Sequence, residues 1–174
     1  MRKGFSLIEL LIVIIIISIV YFLGFEGVEL GKERPKALTP LTLKSTIMKS
    51  DIFTEEATFI CTNACRSCYL RRGLSGSFEA YEHGIDLKGV EAYTLDERES
   101  LSPLEYGRYQ DQKICLRLDF YKNGSSTQII LKNREGVYFL PAFFGTPQKV
   151  DTLEEAKELW LKNSTLASNS GDFY

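Results

Sequence analysis

Glu9 is an acid in an apolar run, the third residue of a stretch over residues 7–23 otherwise broken only by Ser18. A carboxylate at the centre of a membrane helix costs about 2.5–3.5 kcal/mol on insertion scales. Near the end of such a helix the cost is smaller but still unfavourable. A chain that keeps an acid there needs a counter-charge for it. The residues upstream point to one. The N-terminus reads Met1-Arg2-Lys3-Gly4-Phe5-Ser6-Leu7-Ile8-Glu9-Leu10-Leu11. A conventional secretory signal is cut at a small-residue site after its apolar region, and no such site follows Leu23. A cut after Gly4 would leave the apolar segment on the mature chain. It would also free the amine of Phe5, a cation four residues from Glu9.

Gly4 to Leu11 resembles the processing signal of type IV prepilins and type II secretion pseudopilins. That signal is Gly, then Phe or a similar apolar residue, then Thr or Ser-Leu-Ile-Glu, and the similarity extends over residues 2–23. The resemblance implies that an inner-membrane prepilin peptidase cleaves between Gly4 and Phe5 and that the amine of Phe5 is methylated. It implies that Glu9 pairs with the N-terminal amine of a neighbouring subunit in a helical filament. The implied partners are the peptidase, other pilin or pseudopilin subunits, and an inner-membrane assembly platform. The implied role is structural, with no catalytic residue, cofactor or metal.

The physical reading of the residues agrees. A buried charge is tolerable when paired and hydrogen-bonded. Residues i and i+4 share a helix face, so the amine and Glu9 can meet within one chain. Between chains the same pair sets a depth and a register. Head-to-tail contacts that do not close generate helical filaments.

Residues 7–25 would form roughly 28 Å of helix at about 1.5 Å per residue, enough to cross a bilayer. Arg2 and Lys3 place the N-terminus on the cytoplasmic side by the positive-inside rule. The expected location is therefore the bacterial inner membrane, single-pass with a periplasmic head, or the assembled filament. Gly24, Gly27, Gly31 and Pro35 then arrive in quick succession. Glycine costs about 1 kcal/mol and proline about 3 kcal/mol within a helix. The expected organisation is a leader at 1–4, a membrane or filament-core helix at 5–25, and a hinge at 26–38. A globular head at 39–163 and a tail at 164–174 follow.

The head is long enough for one domain with its own core. The full chain carries 21 basic and 23 acidic residues. Loss of Arg2 and Lys3 would leave 19 basic, a mildly acidic balance with no electrostatic footprint for nucleic acid. Arg66, Arg71 and Arg72 are a local exception. Thr39-Pro40 predicts the start of a short helix reaching about Lys49. Strands are predicted at 57–61, 68–71 and 90–95. Ile114, Leu116, Leu118 and Phe120 alternate, and Asn123-Gly124 predicts a hairpin turn with residues 127–131 as the partner strand. Residues 137–140 would extend this as a meander. Thr152 to Glu155 has a capping-box pattern, and Leu153, Ala156, Leu159 and Trp160 share a face that would cover the sheet. The predicted fold is α+β: one N-terminal transmembrane helix and a small pilin-like domain with an antiparallel sheet and short helices.

The four cysteines, Cys61, Cys65, Cys68 and Cys115, are disulfide candidates in an oxidising compartment. Three pairings are open. The favoured one joins Cys65 to Cys68 across a turn and Cys61 to Cys115 between strands, with Cys61–Cys68 as the nearest rival. Cys115 falls on the Arg117 and Asp119 side of its strand, which weakens a Cys61–Cys115 bond. Zinc would want a second paired knuckle, and a redox C-x-x-C would want a helix N-terminus. The alternative overall reading is a membrane-anchored periplasmic thiol/disulfide or metal-binding protein that does not polymerise. His83 sits beside Gly84 in a turn-like stretch and reads as a surface residue. Which machine would use such a subunit is not written in any head motif.

Overall fold

The structure is a computed structural model and describes residues 7–26, 37–50, 53, 55–73, 75–143 and 145–169. The chain divides into two units, Met1–Lys36 and Ala37–Tyr174. The described part of the first is helix α1 (Leu7–Glu26). Gly24 does not end it, so the helix outlasts the predicted boundary. The rest of the expected hinge, residues 27–36, lies outside the described residues.

The second unit begins earlier than the sequence suggests. Leu38 is fully buried in the core and bridges Ile85. Thr39 and Thr42 then cap a turn reciprocally, each backbone N–H donating to the other's hydroxyl at 3.0 and 3.3 Å. Helix α2 (Leu43–Lys49) follows and buries Leu43 and Ile47. Lys44 is only 9% exposed and donates through Nζ to the Pro141 and Ala142 carbonyl oxygens at 3.1 and 2.9 Å. Burial holds its pKa below the ordinary lysine value.

Among the described residues, ten strands form two five-stranded antiparallel sheets. The first contains β1 (Ala57–Thr62), β2 (Ser67–Arg72), β3 (Glu79–Ala80), β6 (Arg108–Tyr109) and β7 (Gln112–Phe120), in the order β3-β2-β1-β7-β6. The second contains β4 (Glu91–Leu95), β5 (Leu101–Pro103), β8 (Ile129–Asn133), β9 (Gly136–Leu140) and β10 (Gln148–Val150), in the order β10-β9-β8-β4-β5. Phe59, Leu116, Leu118 and Phe120 from the first sheet join Ile129, Leu131, Tyr138 and Leu140 from the second in one buried cluster. Helix α3 (Leu153–Asn169) covers the other face of the second sheet, where Ala156 and Trp160 pack with Ile130, Val137 and Phe139.

The predicted β7–β8 hairpin is corrected. Asn123 and Gly124 do form a tight turn: Tyr121 N–H donates to the Ser125 carbonyl at 3.0 Å, and Phe120 bridges Ser126. The ladder ends there, and the chain crosses to the other sheet. β7 pairs with β1 and β6, while β8 pairs with β4 and β9. Burial explains the separation. Ile129, Ile130 and Leu131 are consecutive and fully buried. Such a run needs cover on both faces, which β8 finds between the opposite sheet and α3. The predicted meander from β8 to β9 is present in full register.

Helix α3 also departs from expectation. Glu155 N–H donates to Thr152 Oγ1 at 3.2 Å, as a capping box requires. The Glu155 carboxylate, however, accepts from Asp151 N–H at 3.0 Å, one residue upstream of the predicted partner. The helix then runs through residues 164–169, predicted as tail. Ser164 Oγ donates back to the Trp160 carbonyl at 3.0 Å, so a polar side chain is absorbed by the helix's own backbone. Residues 170–174 lie outside the described residues.

The turn from β1 to β2 is unusual. Asn63, Ala64 and Cys65 have φ of 54°, 51° and 60°, one turn of left-handed helix built without glycine. Left-handed backbone costs an L-residue about 1–2 kcal/mol. Arg66 N–H donates to the Thr62 carbonyl and Gly89 N–H to that of Ala64, at 3.2 and 3.1 Å, and these bonds help fix the turn. Ala64→Gly removes the Cβ clash but adds freedom to the unfolded chain. The net expectation is stabilisation by about 0.5–1 kcal/mol. It would be read as a higher urea midpoint at unchanged slope, followed by Trp160 fluorescence. A lower midpoint would contradict the left-handed assignment.

Candidate functional site

Two groups of residues carry the chemistry: the acid on α1 and the four cysteines of the head. Glu9 lies in the first turn of α1. Every side chain described on that helix, from Leu7 to Tyr21, is exposed. Ile14 and Ile16 are 56% and 55% exposed, as open as Leu10 at 56%. The apolar surface therefore runs around the whole cylinder and forms no single stripe. A helix apolar all round is suited to burial on all sides, in lipid or among like helices. Ser18, the other polar residue of the run, returns its Oγ to the Ile14 carbonyl at 2.8 Å. That leaves Glu9 as the one ionisable side chain among the described residues of the run before Tyr21.

Among the described residues no helix is long and apolar enough to cross a membrane. Side chains are described only to Tyr21, and residues 7–21 rise about 22 Å against a hydrocarbon core of about 30 Å. The expected span to residue 25 runs past them. Gly4 and Phe5, the expected processing site, also lie outside the described residues.

The four cysteines are all in disulfides, in a pairing different from the favoured one: Cys61–Cys68 and Cys65–Cys115. Strand parity accounts for the difference. Cys61 stands directly opposite Cys68 in the β1–β2 ladder, with Cα atoms 4.0 Å apart. Its partner across β7 is Leu116, and the register shifts between Cys61 and Thr62, leaving Cys115 as the extra residue of a β-bulge. Cys115 is thus out of step with Cys61. The left-handed turn carries Cys65 to it instead, with Cα atoms 5.8 Å apart. No cysteine is free, and among the described residues no group suits a metal ion. The sulfurs offer neither a zinc-binding thiolate nor a redox dithiol in this state.

His83 is exposed, with its ring edge-on to Tyr81 at 5.1 Å. It borders a recess of about 320 Å³ lined also by Leu70, Glu79, Ala80 and Glu82. Burial raises the pKa of Tyr81, so its phenol stays protonated at neutral pH. Trp160 packs against Phe139 at 6.2 Å within the α3 interface, as expected of a core residue.

Loop length ranks the two disulfides. Cys65–Cys115 spans 50 residues and Cys61–Cys68 spans seven. The chain-entropy relation gives about 4 kcal/mol for the first and about 2 kcal/mol for the second. Replacing Cys65 and Cys115 together by Ser should therefore lower the thermal midpoint more than replacing Cys61 and Cys68. The reverse order in thermal scans of the two double variants would contradict this ranking.

Comparison with known proteins adds one finding to this geometry. The prokaryotic N-terminal methylation motif matches residues 1–20. No curated protein and no solved structure matches the chain. The match covers the basic leader, Gly4, Phe5, Glu9 and most of the apolar run, and none of the head. It suggests a structural subunit in place of an enzyme. Residues 1–20 are a class III signal peptide of the type IV prepilin kind.

Proposed function

We propose that this chain is a prepilin-like subunit, a minor pilin or pseudopilin, that assembles into a type IV pilus or a type II secretion pseudopilus. A prepilin peptidase cuts between Gly4 and Phe5, and the new amine of Phe5 is methylated. Before assembly the apolar helix holds the chain in the bacterial inner membrane, with its N-terminus cytoplasmic and its head periplasmic. On assembly, Glu9 pairs with the N-terminal amine of a neighbouring subunit. An inner-membrane platform supplies the site of assembly.

The observation that carries this reading is the methylation motif over residues 1–20, a stretch that includes Glu9 and the proposed cleavage site. Two further observations support it. The described side chains of α1 are exposed and apolar on every side, as a helix destined for lipid or a helical bundle should be. The head carries two disulfides, which persist in oxidising compartments such as the periplasm. The alternative, a membrane-anchored thiol or metal-binding protein that never polymerises, would rest on thiolates released by reduction of these two disulfides.

The test is Glu9→Val in the cell that makes the protein. Valine removes the charge and keeps the helix apolar. The variant should be found in membranes at wild-type level and be lost from the sheared filament fraction. An ion pair in a poorly solvated site, with one member removed, costs about 3–5 kcal/mol, so the loss should exceed tenfold. Glu9→Asp should retain part of the incorporation. Wild-type incorporation of Glu9→Val would defeat the proposal.

A further inference from the structure

The two disulfides differ in what their reduction releases. Cys61 and Cys68 face each other across the β1–β2 ladder and are both buried, so their bond joins residues that the register already holds together. Cys65 and Cys115 have no such support. Cys65 stands in the turn after β1, and Cys115 is the extra residue of the bulge in β7. Cys115 is partly buried, whereas the other three cysteines are buried. The turn that brings Cys65 to it holds Asn63, Ala64 and Cys65 at φ of 54°, 51° and 60°, a region that L-residues avoid. Thr62 pairs with Ser67, so the loop is residues 63–66. Hairpin loops of that length are most often built around a type I turn, whose central residues are right-handed. A second backbone conformation therefore suits the same residues in the same register. The turn also touches the segment that leads into β4. The Ala64 carbonyl accepts from Gly89 N–H at 3.1 Å, and on either side of that glycine Val90 N–H donates to the Leu87 carbonyl at 3.2 Å. Leu87 and Val90 both belong to the core.

We propose that Cys65–Cys115 is a redox switch of the head, operated by a dithiol, with the turn at Asn63–Ala64–Cys65 as its two-state element. A thiolate of the dithiol attacks the sulfur of Cys115, the least buried of the four cysteines. A mixed disulfide forms there, and Cys65 leaves as a thiolate. The second thiol of the dithiol then displaces Cys115. Two electrons and two protons pass to the chain, which ends with two thiols, and the dithiol leaves as its own disulfide. No covalent bond then holds Cys65 against β7, and the turn relaxes to its right-handed form. The Ala64 carbonyl leaves Gly89, and the segment from Leu87 to Val90 loosens. Cys61–Cys68 keeps β1 and β2 in register throughout, so the change stays local. The switch concerns the head alone and does not depend on the fate of Gly4, Phe5 or Glu9.

The experiment equilibrates the full chain in detergent micelles with graded ratios of reduced to oxidised dithiothreitol. Samples are quenched in acid, alkylated in denaturant and mapped by peptide mass. The expected two-electron species carries label on Cys65 and Cys115 and none on Cys61 or Cys68. In that species hydrogen exchange at the Gly89 amide should rise by roughly tenfold or more. The amides of the β1–β2 ladder and the Trp160 fluorescence should stay as they were. Ala64→Gly eases the left-handed turn, so half-reduction should need a roughly two- to fivefold higher ratio of reduced to oxidised reagent. The double variant Cys65→Ser with Cys115→Ser should show the fast Gly89 exchange without any dithiol. First reduction at Cys61–Cys68 would overturn the proposal, as would loss of both bonds in one step. So would a Gly89 amide still protected in the two-electron species, which would make the bond a brace only.

Discussion

A carboxylate on a helix with no polar face constrains where that helix can go. α1 presents exposed aliphatic side chains around its whole described circumference, so water is a poor home for it and hydrocarbon a good one. Glu9 reverses that preference at a single point, in the first turn. Any apolar surroundings that receive the helix must also bring a cation to that depth. The sequence places the nearest source at Phe5, whose amine becomes a charge only if the bond after Gly4 is cut. On the proposed reading, processing, insertion depth and subunit register would be three consequences of one electrostatic requirement. The motif over residues 1–20 contains every residue the requirement names.

The head is stabilised on different terms. Its core lies between two antiparallel sheets, and α3 seals the outer face of the second. β1 is buried along all six residues and is the strand on which the covalent ties converge. Cys61 on β1 joins β2, and Cys65, three residues past its end, joins β7. The two bonds therefore brace the same three strands that carry Arg71, Thr58 and Asp119. Side chains on adjacent strands of a braced sheet hold their spacing well.

Legibility followed the range of each signal. The motif over the first twenty residues was recognisable because its message is local: a basic leader, a glycine, an acid at fixed spacing, an apolar run. Strands β1, β2, β7 and β9 were found from alternation and composition to within two residues at each end. The crossing between sheets was hidden, because Asn123-Gly124 specifies a turn and says nothing about which sheet receives the next strand. The run Ile129-Ile130-Leu131 held the missing clue, since three consecutive buried residues need cover on two faces. The cysteine pairing failed for a related reason. Alternation did put Cys115 out of step with the core face, but the left-handed turn that delivers Cys65 to it contains no glycine to announce it. The end of α3 was read as tail because Ser and Asn suggest loop, whereas Ser164 is satisfied by the carbonyl one turn back. The hydrogen-bonded chain of Arg71, Thr58 and Asp119 had no sequence signal of its own. Thr58, Arg71 and Asp119 are brought together only by the register of three strands.

The most direct measurement of the central claim is the intact mass of the mature protein extracted from membranes. The account predicts loss of residues 1–4 and gain of one methyl group on Phe5, with the mass of two disulfides retained until reductant is added. A working protein that still carries Met1 would contradict it, because Glu9 would then lack the charge that the apolar helix requires.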